Sequence, residues 1–475
     1  MRTHIISCAI AALFCFGIAG CSTMPASSTD ATAVKFTMPE FDNYTLDNGL
    51  TVYLLPQKEV PLISMAAVVR AGSIDDNPSG IASLTARSLM LGTHRQTKAQ
   101  IEQIADGLGA SITAGADKED SFVLAQFMSK DSATMVPLFA NIVQTPSFNS
   151  DELNKLKQRQ IAGLSQAKES PRAVINRYFE QFLFAEHPYA KPVSGNRDSL
   201  AAITAKQVRQ FYDDYYQPQD SAIIVVGDFD VGQMKAQLQQ LFGQWREGSQ
   251  VARSDLDKQL PKLDKPRVLV VNKPDALETT FLIGGIGISR DNPDFIGLEV
   301  VNTILGGRFT SWLNDELRVN SGLTYGARSH FNTHAHAGVF TISSFTNKKT
   351  TQAAIDLALK TYAKLWQQGV DAKTLASAKA YVKGQFPPNY ETNQQLVSLL
   401  KDMYIYGLDE EVINSFDEQV DKLTVADTKR LVTQYFPQQN LQFVLIGNAA
   451  EIMPIAKQYG EVKVVNINDI GFSAN

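Results

Sequence analysis

The chain has 475 residues, 44% hydrophobic and 20% charged, with 44 Lys and Arg against 49 Asp and Glu for a net charge of −5. That balance excludes a disordered chain and a collagen-like fibre, and a mild acidity spread along the sequence speaks against nucleic-acid binding, which needs a basic face. The three cysteines, Cys8, Cys15 and Cys21, all lie near the start, so the rest of the chain has no disulfide, no thiolate metal site and no cysteine nucleophile.

Arg2 is followed by an apolar run from Ile5 to Ile18. The run is short for a spanning helix of about 20 residues and reads as the core of a secretory signal. It ends in Ile18-Ala19-Gly20-Cys21, which resembles a bacterial lipobox. That resemblance implies removal of residues 1–20 and acylation of Cys21, each buried methylene contributing about 0.8 kcal/mol to membrane anchoring. A plain secretory signal cut near Ala19 or Ala26 is the alternative. Ser22, rather than Asp, follows the cysteine, which resembles sorting to the outer membrane of a Gram-negative cell and hence a periplasmic, lipid-anchored protein. Residues 21–35, with much Ser, Thr and Ala, read as a flexible tether.

Strands are predicted at Leu50–Leu55 and Ile63–Ala71. An acidic turn, Asp75-Asp76-Asn77-Pro78, leads into a helical stretch from Gly80 to Thr93, and a longer helix spans Asp151–Lys168. Thr204 caps a helix reaching Tyr215-Tyr216, followed by a buried strand, Ala222–Val226, closing on Gly227-Asp228. Gly248, Ser249, Pro261 and Pro266 among mixed charges mark a linker over 248–265. Strands resume at Val268–Val271 and Thr280–Ile286, and helices at Thr351–Gln368 and Ala372–Gly384. Thr424 then starts a helix reaching Tyr435-Phe436, followed by a strand, Leu441–Ile446, closing on Gly447-Asn448.

That last unit repeats the one at Thr204 with every landmark displaced by 220 residues. Fixed register argues for duplication, giving homologous halves at 36–247 and 266–470; two unrelated helix–strand units are the alternative. Strands grouped early and helices late predict an α+β fold, each half a mostly antiparallel sheet with helices on one face. Each half is long enough to bury its own core.

The stretch Gly80-Ile81-Ala82-Ser83-Leu84-Thr85-Ala86-Arg87-Ser88-Leu89-Met90-Leu91-Gly92-Thr93 follows a strand ending in Arg70-Ala71-Gly72-Ser73 and the acidic turn. Together they resemble the insulinase/pitrilysin family of zinc metallopeptidases. In active members this helix carries H-x-x-E-H, whose two histidines bind zinc while the glutamate polarises the attacking water. Here those places hold Ser83, Ala86 and Arg87, and the region matching the family's further glutamate ligand, Arg159-Gln160-Ile161-Ala162-Gly163-Leu164, has no carboxylate. Serine and alanine offer no strong ligand, and arginine opposes a dication. The resemblance therefore implies no metal on this chain and no catalysis by it alone.

One other segment pairs histidines: His330-Phe331-Asn332-Thr333-His334-Ala335-His336. Its Asn and Gly flanks predict a solvated hairpin, with a metal site through His330, His334 and His336 as the alternative. His94 stands alone, and His187-Pro188-Tyr189 resembles the family's structural loop. Gly284-Gly285-Ile286-Gly287 and Gly306-Gly307 lack phosphate-loop spacing.

Leu305-Gly306-Gly307-Arg308-Phe309-Thr310-Ser311-Trp312-Leu313-Asn314-Asp315-Glu316-Leu317-Arg318, then Val319-Asn320-Ser321-Gly322-Leu323-Thr324-Tyr325, resembles the family's C-terminal substrate motif: a glycine loop, a helix, Arg, six residues, Tyr. The resemblance implies that Arg318 and Tyr325 hydrogen-bond substrate carbonyls and support the oxyanion. Alternatively, Arg318 meets its helix's terminal carbonyls and Tyr325 packs at a strand start. Across 36–470 the pattern is similar to the non-catalytic subunit of two-subunit members. It implies a homologous H-x-x-E-H partner carrying the zinc, and unfolded peptides as substrates. A peptide-binding or scaffold protein with no part in catalysis is the alternative.

Overall fold

Two six-stranded sheets built on one plan organise the chain. The computed structural model describes residues 36–246, 248, 256 and 260–472. The signal, Cys21 and the tether therefore lie outside the described residues, as does most of the first part of the linker. The first sheet contains β1 (Asp42–Thr45), β2 (Thr51–Pro56), β3 (Leu62–Val69), β4 (Ser111–Ala116), β5 (Ser121–Met128) and β6 (Ser221–Gly227), in the order β1-β2-β6-β3-β5-β4. The second contains β7 (Arg267–Asn272), β8 (Glu278–Ile286), β9 (Ala327–Asn332), β10 (Val339–Asn347), β11 (Gln442–Gly447) and β12 (Glu461–Asn466), in the order β12-β7-β11-β8-β10-β9.

β6 inserts between a parallel β2 and an antiparallel β3, and β11 inserts likewise between β7 and β8. The strands 220 residues apart thus occupy the same place in the two sheets. The sheets differ at one edge, where β1 runs antiparallel to β2 but β12 runs parallel to β7. Most pairings are antiparallel, as the grouping of strands predicted.

The first-half helices are α1 (Ile81–Ser88), α2 (Lys98–Leu108), α3 (Ser132–Gln144), α4 (Ser150–Ala167), α5 (Pro171–Phe184), α6 (Arg197–Ala202), α7 (Ala205–Tyr215) and α8 (Val231–Phe242). The second half adds α9 (Phe295–Asn302), α10 (Trp312–Asn314), α11 (Thr351–Gln367), α12 (Ala372–Gln385), α13 (Asn393–Tyr406), α14 (Glu411–Asn414), α15 (Phe416–Lys422), α16 (Val425–Tyr435) and α17 (Ala449–Ala456). The two repeat helices start as their threonines predicted. The Thr204 hydroxyl accepts the Gln207 N–H at 3.3 Å while Gln207 accepts the Thr204 N–H at 3.0 Å. Thr424 and Asp427 exchange the same pair of bonds at α16. Such reciprocal caps satisfy backbone donors that the first helical turn leaves unpaired.

The cores depart from the expectation of two self-contained halves with helices on one face. One face of the first sheet, including Val52, Met65 and Ile223, packs on its own helices. The opposite face, including Leu55, Val68, Ile224 and Val226, packs against Leu396, Leu400 and Met403 of α13, from the second half. Conversely, Leu269, Val271, Leu282 and Val444 of the second sheet share a core with Ile175, Phe179 and Phe182 of α5, from the first half. The physical reason lies in the strands. Val268 and Val270 point one way, Leu269 and Val271 the other, and all four are buried. A sheet apolar on both faces needs two covers, and each half contributes one helix to the other.

Candidate functional site

The acidic turn predicted before α1 sets that helix in place. Gly80 enters in the left-handed region, with φ of 89°, and a Cβ there would press on Gly195 at 2.8 Å. Asp76 turns back onto the helix start: one carboxylate oxygen accepts the Ala82 N–H at 2.8 Å and the other accepts the Gly80 N–H. Burial pushes the Asp76 carboxyl up to about 7, against the opposing pull of these hydrogen bonds and Lys191. Its folded pKa thus lies above the ordinary value of 3.8. The neutral form favours folding at low pH, and that contribution is lost as pH rises towards about 7. Asp76→Asn, neutral throughout, is expected to flatten this component of the melting-temperature profile between about pH 4 and about pH 8, read by circular dichroism.

On α1, Ser83 and Ala86 are buried and Arg87 is exposed. Ser83 and Arg87 face a cleft of about 800 Å³, whereas Ala86 is enclosed in packing. The cleft is walled by β4, the turn 117–120, α5, the loop 192–194, the segment 332–334 and the end of α13. Gln160 of α4 is also buried. It donates to the Ser194 carbonyl at 3.3 Å, while its own side-chain oxygen has no partner among the described residues. Ser83, Ala86, Arg87 and Gln160 supply neither carboxylate nor imidazole, so these residues do not fit a zinc ion. Among the described residues no group of three or more His, Cys, Asp or Glu is arranged to hold a metal.

Charged side chains of the wall are paired, Lys401 across the two halves and Lys118 within the first. Lys401 bridges Asp117 at 3.1 Å and Asp120 at 2.8 Å, and Lys118 pairs with Glu180 at 2.9 Å. Burial raises the Asp120 carboxyl to about 6, with Lys401 opposing that shift. Glu119 accepts the Tyr189 hydroxyl at 2.6 Å and the Ala335 N–H at 3.1 Å, and the His336 N–H donates to the Tyr189 hydroxyl at 3.1 Å. The His334 ring stacks on Tyr189 with centroids 5.0 Å apart.

The histidine segment does lie in the predicted hairpin, β9 pairing antiparallel with β10, but it is not solvated throughout. β9 ends at Asn332; beyond it, His334 is buried against the first half while His336 is exposed. Burial lowers the His334 pKa to about 4, which leaves it neutral near pH 7. His330 faces a different cavity. His187 fits the structural reading, since its ring nitrogen accepts the Tyr189 N–H at 3.2 Å.

That second cavity, about 790 Å³, lies over the second sheet between α5 and the edge strand β9. It shares Glu180 and Asn332 with the first, so the two adjoin. Tyr325 stands on its wall, 81% exposed. Arg318 lies outside the wall, in a widened helical turn at Asp315–Asn320, and its guanidinium sits 4.8 Å over the ring of Phe309. A second widened turn, Thr303–Gly307, precedes it; such turns recur at functional sites. Gly306 has no room for a side chain there, since a Cβ would meet the Ser329 nitrogen at 2.2 Å. Among the described residues Arg318 meets no terminal carbonyl and Tyr325 is not packed, so neither alternative reading of these two side chains describes them. Phe309, at 63% exposed, and Val319, at 63%, flank them with apolar surface.

Comparison with known proteins agrees with this architecture. Residues 52–197 match the family described as "Insulinase (Peptidase family M16)", and residues 202–382 match "Peptidase M16 inactive domain". The "Uncharacterized zinc protease YmxG" of Bacillus subtilis is 22% identical over 82% of this chain and 93% of its own length. The "Non-peptidase homolog YmxG" of Helicobacter pylori is 22% identical over 79% of this chain and 87% of its own. A crystal structure of a peptidase M16 inactive domain from Pseudomonas fluorescens superposes with a TM-score of 0.80 at 27% identity, covering 86% of this chain and 98% of that one. With one fold written twice and Ser83, Ala86 and Arg87 where the resemblance puts H-x-x-E-H, the chain belongs to the insulinase (peptidase M16) family, among the members that lack the zinc-site residues.

Proposed function

We propose that this chain is the non-catalytic subunit of a heteromeric zinc metallopeptidase, contributing substrate and transition-state contacts to a homologous partner that carries H-x-x-E-H. The observation that carries the reading is the pairing of a cleft with no metal-holding group among the described residues with two side chains, Arg318 and Tyr325, that no hydrogen bond among the described residues uses. A phenol hydroxyl and a guanidinium are donors suited to a peptide carbonyl and to the oxyanion formed when water attacks it. The partner supplies the zinc and the activated water. An unfolded peptide suits the cleft because β4, its wall, is the terminal strand of its sheet and among the described residues pairs only with β5; a free strand edge accepts an extended chain by backbone hydrogen bonds. The same reading holds the chain at the periplasmic face of the outer membrane through an acylated Cys21, on the strength of Ile18-Ala19-Gly20-Cys21.

The test is to purify the full chain with and without an H-x-x-E-H homologue from its own cell. Peptide turnover is expected only from the mixture, with zinc in proportion to the partner. Turnover by this chain alone, with a tightly held zinc, overturns the proposal. Peptide binding without any complex moves the assignment to a scaffold.

A further inference from the structure

The cleft beside α1 is lined by five carboxylates and four cations, and two of those cations are in no ion pair among the described residues. Lys118 is taken by Glu180, and Lys401 by Asp117 and Asp120. Glu119 is occupied by the Tyr189 hydroxyl and the Ala335 N–H. Asp402, the remaining carboxyl, is held above its usual range by burial and lies in the field of Lys401 and Arg290. Two arginines border the same cleft, Arg87 from α1 and Arg177 from α5, the latter in the field of Glu180. Neither makes a hydrogen bond or ion pair with any described residue. Arg177 lies 5.2 Å over the ring of Phe472, and its buried Nη1 has no acceptor among the described residues. A buried donor without a partner costs about 1–3 kcal/mol, and more when charged. The polar residues Ser83, Ser194, Asn332 and Thr333 border the same cleft.

A guanidinium presents donors in a planar fork that matches a carboxylate bidentately. We propose that Arg87 and Arg177 form a carboxylate-recognition site for peptides, gripping the negative group of a chain that lies in the cleft. The position that holds a metal ligand in catalytic relatives would here hold a fixed cation for an anionic group. The carboxylate has two possible sources, the free C-terminus of a peptide or an Asp or Glu side chain within it. The site rests on the reading that this cleft takes peptides, but it does not need the zinc-bearing partner.

The test therefore uses the full chain alone. One N-terminally labelled peptide without acidic residues is titrated by fluorescence anisotropy in three forms: free acid, C-terminal amide, and amide with one internal Asp. The free acid is expected to bind about tenfold more tightly than the plain amide, a difference of about 1.4 kcal/mol. Arg87→Gln and Arg177→Gln are each expected to erase that preference. Arg87→Lys, a point charge without the fork, is expected to keep part of it. Should the internal-Asp amide be the tight binder, with the preference lost in Arg87→Gln, the site stands and its ligand is a side-chain carboxylate. Equal affinity for all three forms, no binding of any, or a preference that survives Arg87→Gln overturns the proposal. Arg87 is exposed, so its variants keep the fold, and thermal melts check this. Peptide turnover by the mixture with the partner is a separate measurement, so its failure leaves this result readable.

Discussion

Tyr325→Phe is expected to lower peptide turnover of the assembled peptidase by about 10²–10³-fold, the range found when one oxyanion donor is removed. The same substitution is expected to leave this chain's stability within about 0.5 kcal/mol, as for surface changes away from packing. The two outcomes separate because Tyr325 is 81% exposed on the cavity wall, so its hydroxyl contributes nothing to the fold. If the bond forms only in the transition state, kcat and kcat/KM fall together and KM stays put. Arg318→Ala is expected to act in the same direction, with a small stability cost from its stacking on Phe309. Arg318→Lys keeps the charge while losing the fork, and so separates charge from geometry. Steady-state kinetics on the mixture, beside thermal melts of the variant alone, read both effects. Turnover unchanged in the Tyr325→Phe, Arg318→Ala double variant removes both residues from the mechanism.

Leu400→Ala is expected to have the opposite profile, costing about 2–5 kcal/mol of stability. Leu400 is fully buried on α13 in the core shared with Leu55, Val68 and Ile224 of the first sheet. Truncation opens a void between a helix of one half and a sheet of the other. Phe179→Ala, its counterpart on α5 against the second sheet, is expected to cost about 3–5 kcal/mol. Denaturant unfolding followed by tryptophan fluorescence and by circular dichroism is expected to show one coincident transition, shifted by either substitution. Two separated transitions, with each variant moving only one, would show that the exchanged helices do not couple the halves.

The duplication was legible because its signals are local. A threonine with a side-chain acceptor three residues on, an amphipathic helix and a β-branched strand depend on neighbours in sequence, and they came out at Thr204 and Thr424 with the expected caps. The missing zinc residues were legible only through the family resemblance, which assigns H-x-x-E-H to a helix where Ser83, Ala86 and Arg87 stand. What covers a sheet is not local. The apolar faces of α5 and α13 announce that they are buried, but nothing in a 3.6-residue period says against which half. His334 was misread in the same way: Asn and Gly flanks predict a turn, but not that the turn rests on Tyr189, 145 positions earlier in the sequence. Arg177 went unnoticed because it is one of several polar residues of α5, with no motif to mark it. Its interest arises only when folding brings it to the same space as Arg87.

The exchange of α5 and α13 bears on how a polypeptide could gain entry. Swinging the two halves apart would strip Leu396, Leu400, Phe179 and Phe182 from the strands they shelter, at about 25 cal/mol for each Å² of apolar surface wetted, and would also tear the Glu119 carboxylate from the Ala335 amide. The molecule is therefore built as a stiff shell rather than a jaw. In a two-chain chamber the doorway would open by displacement of one whole shell against the other, with the aperture governed by the seam between them and not by flexing within either.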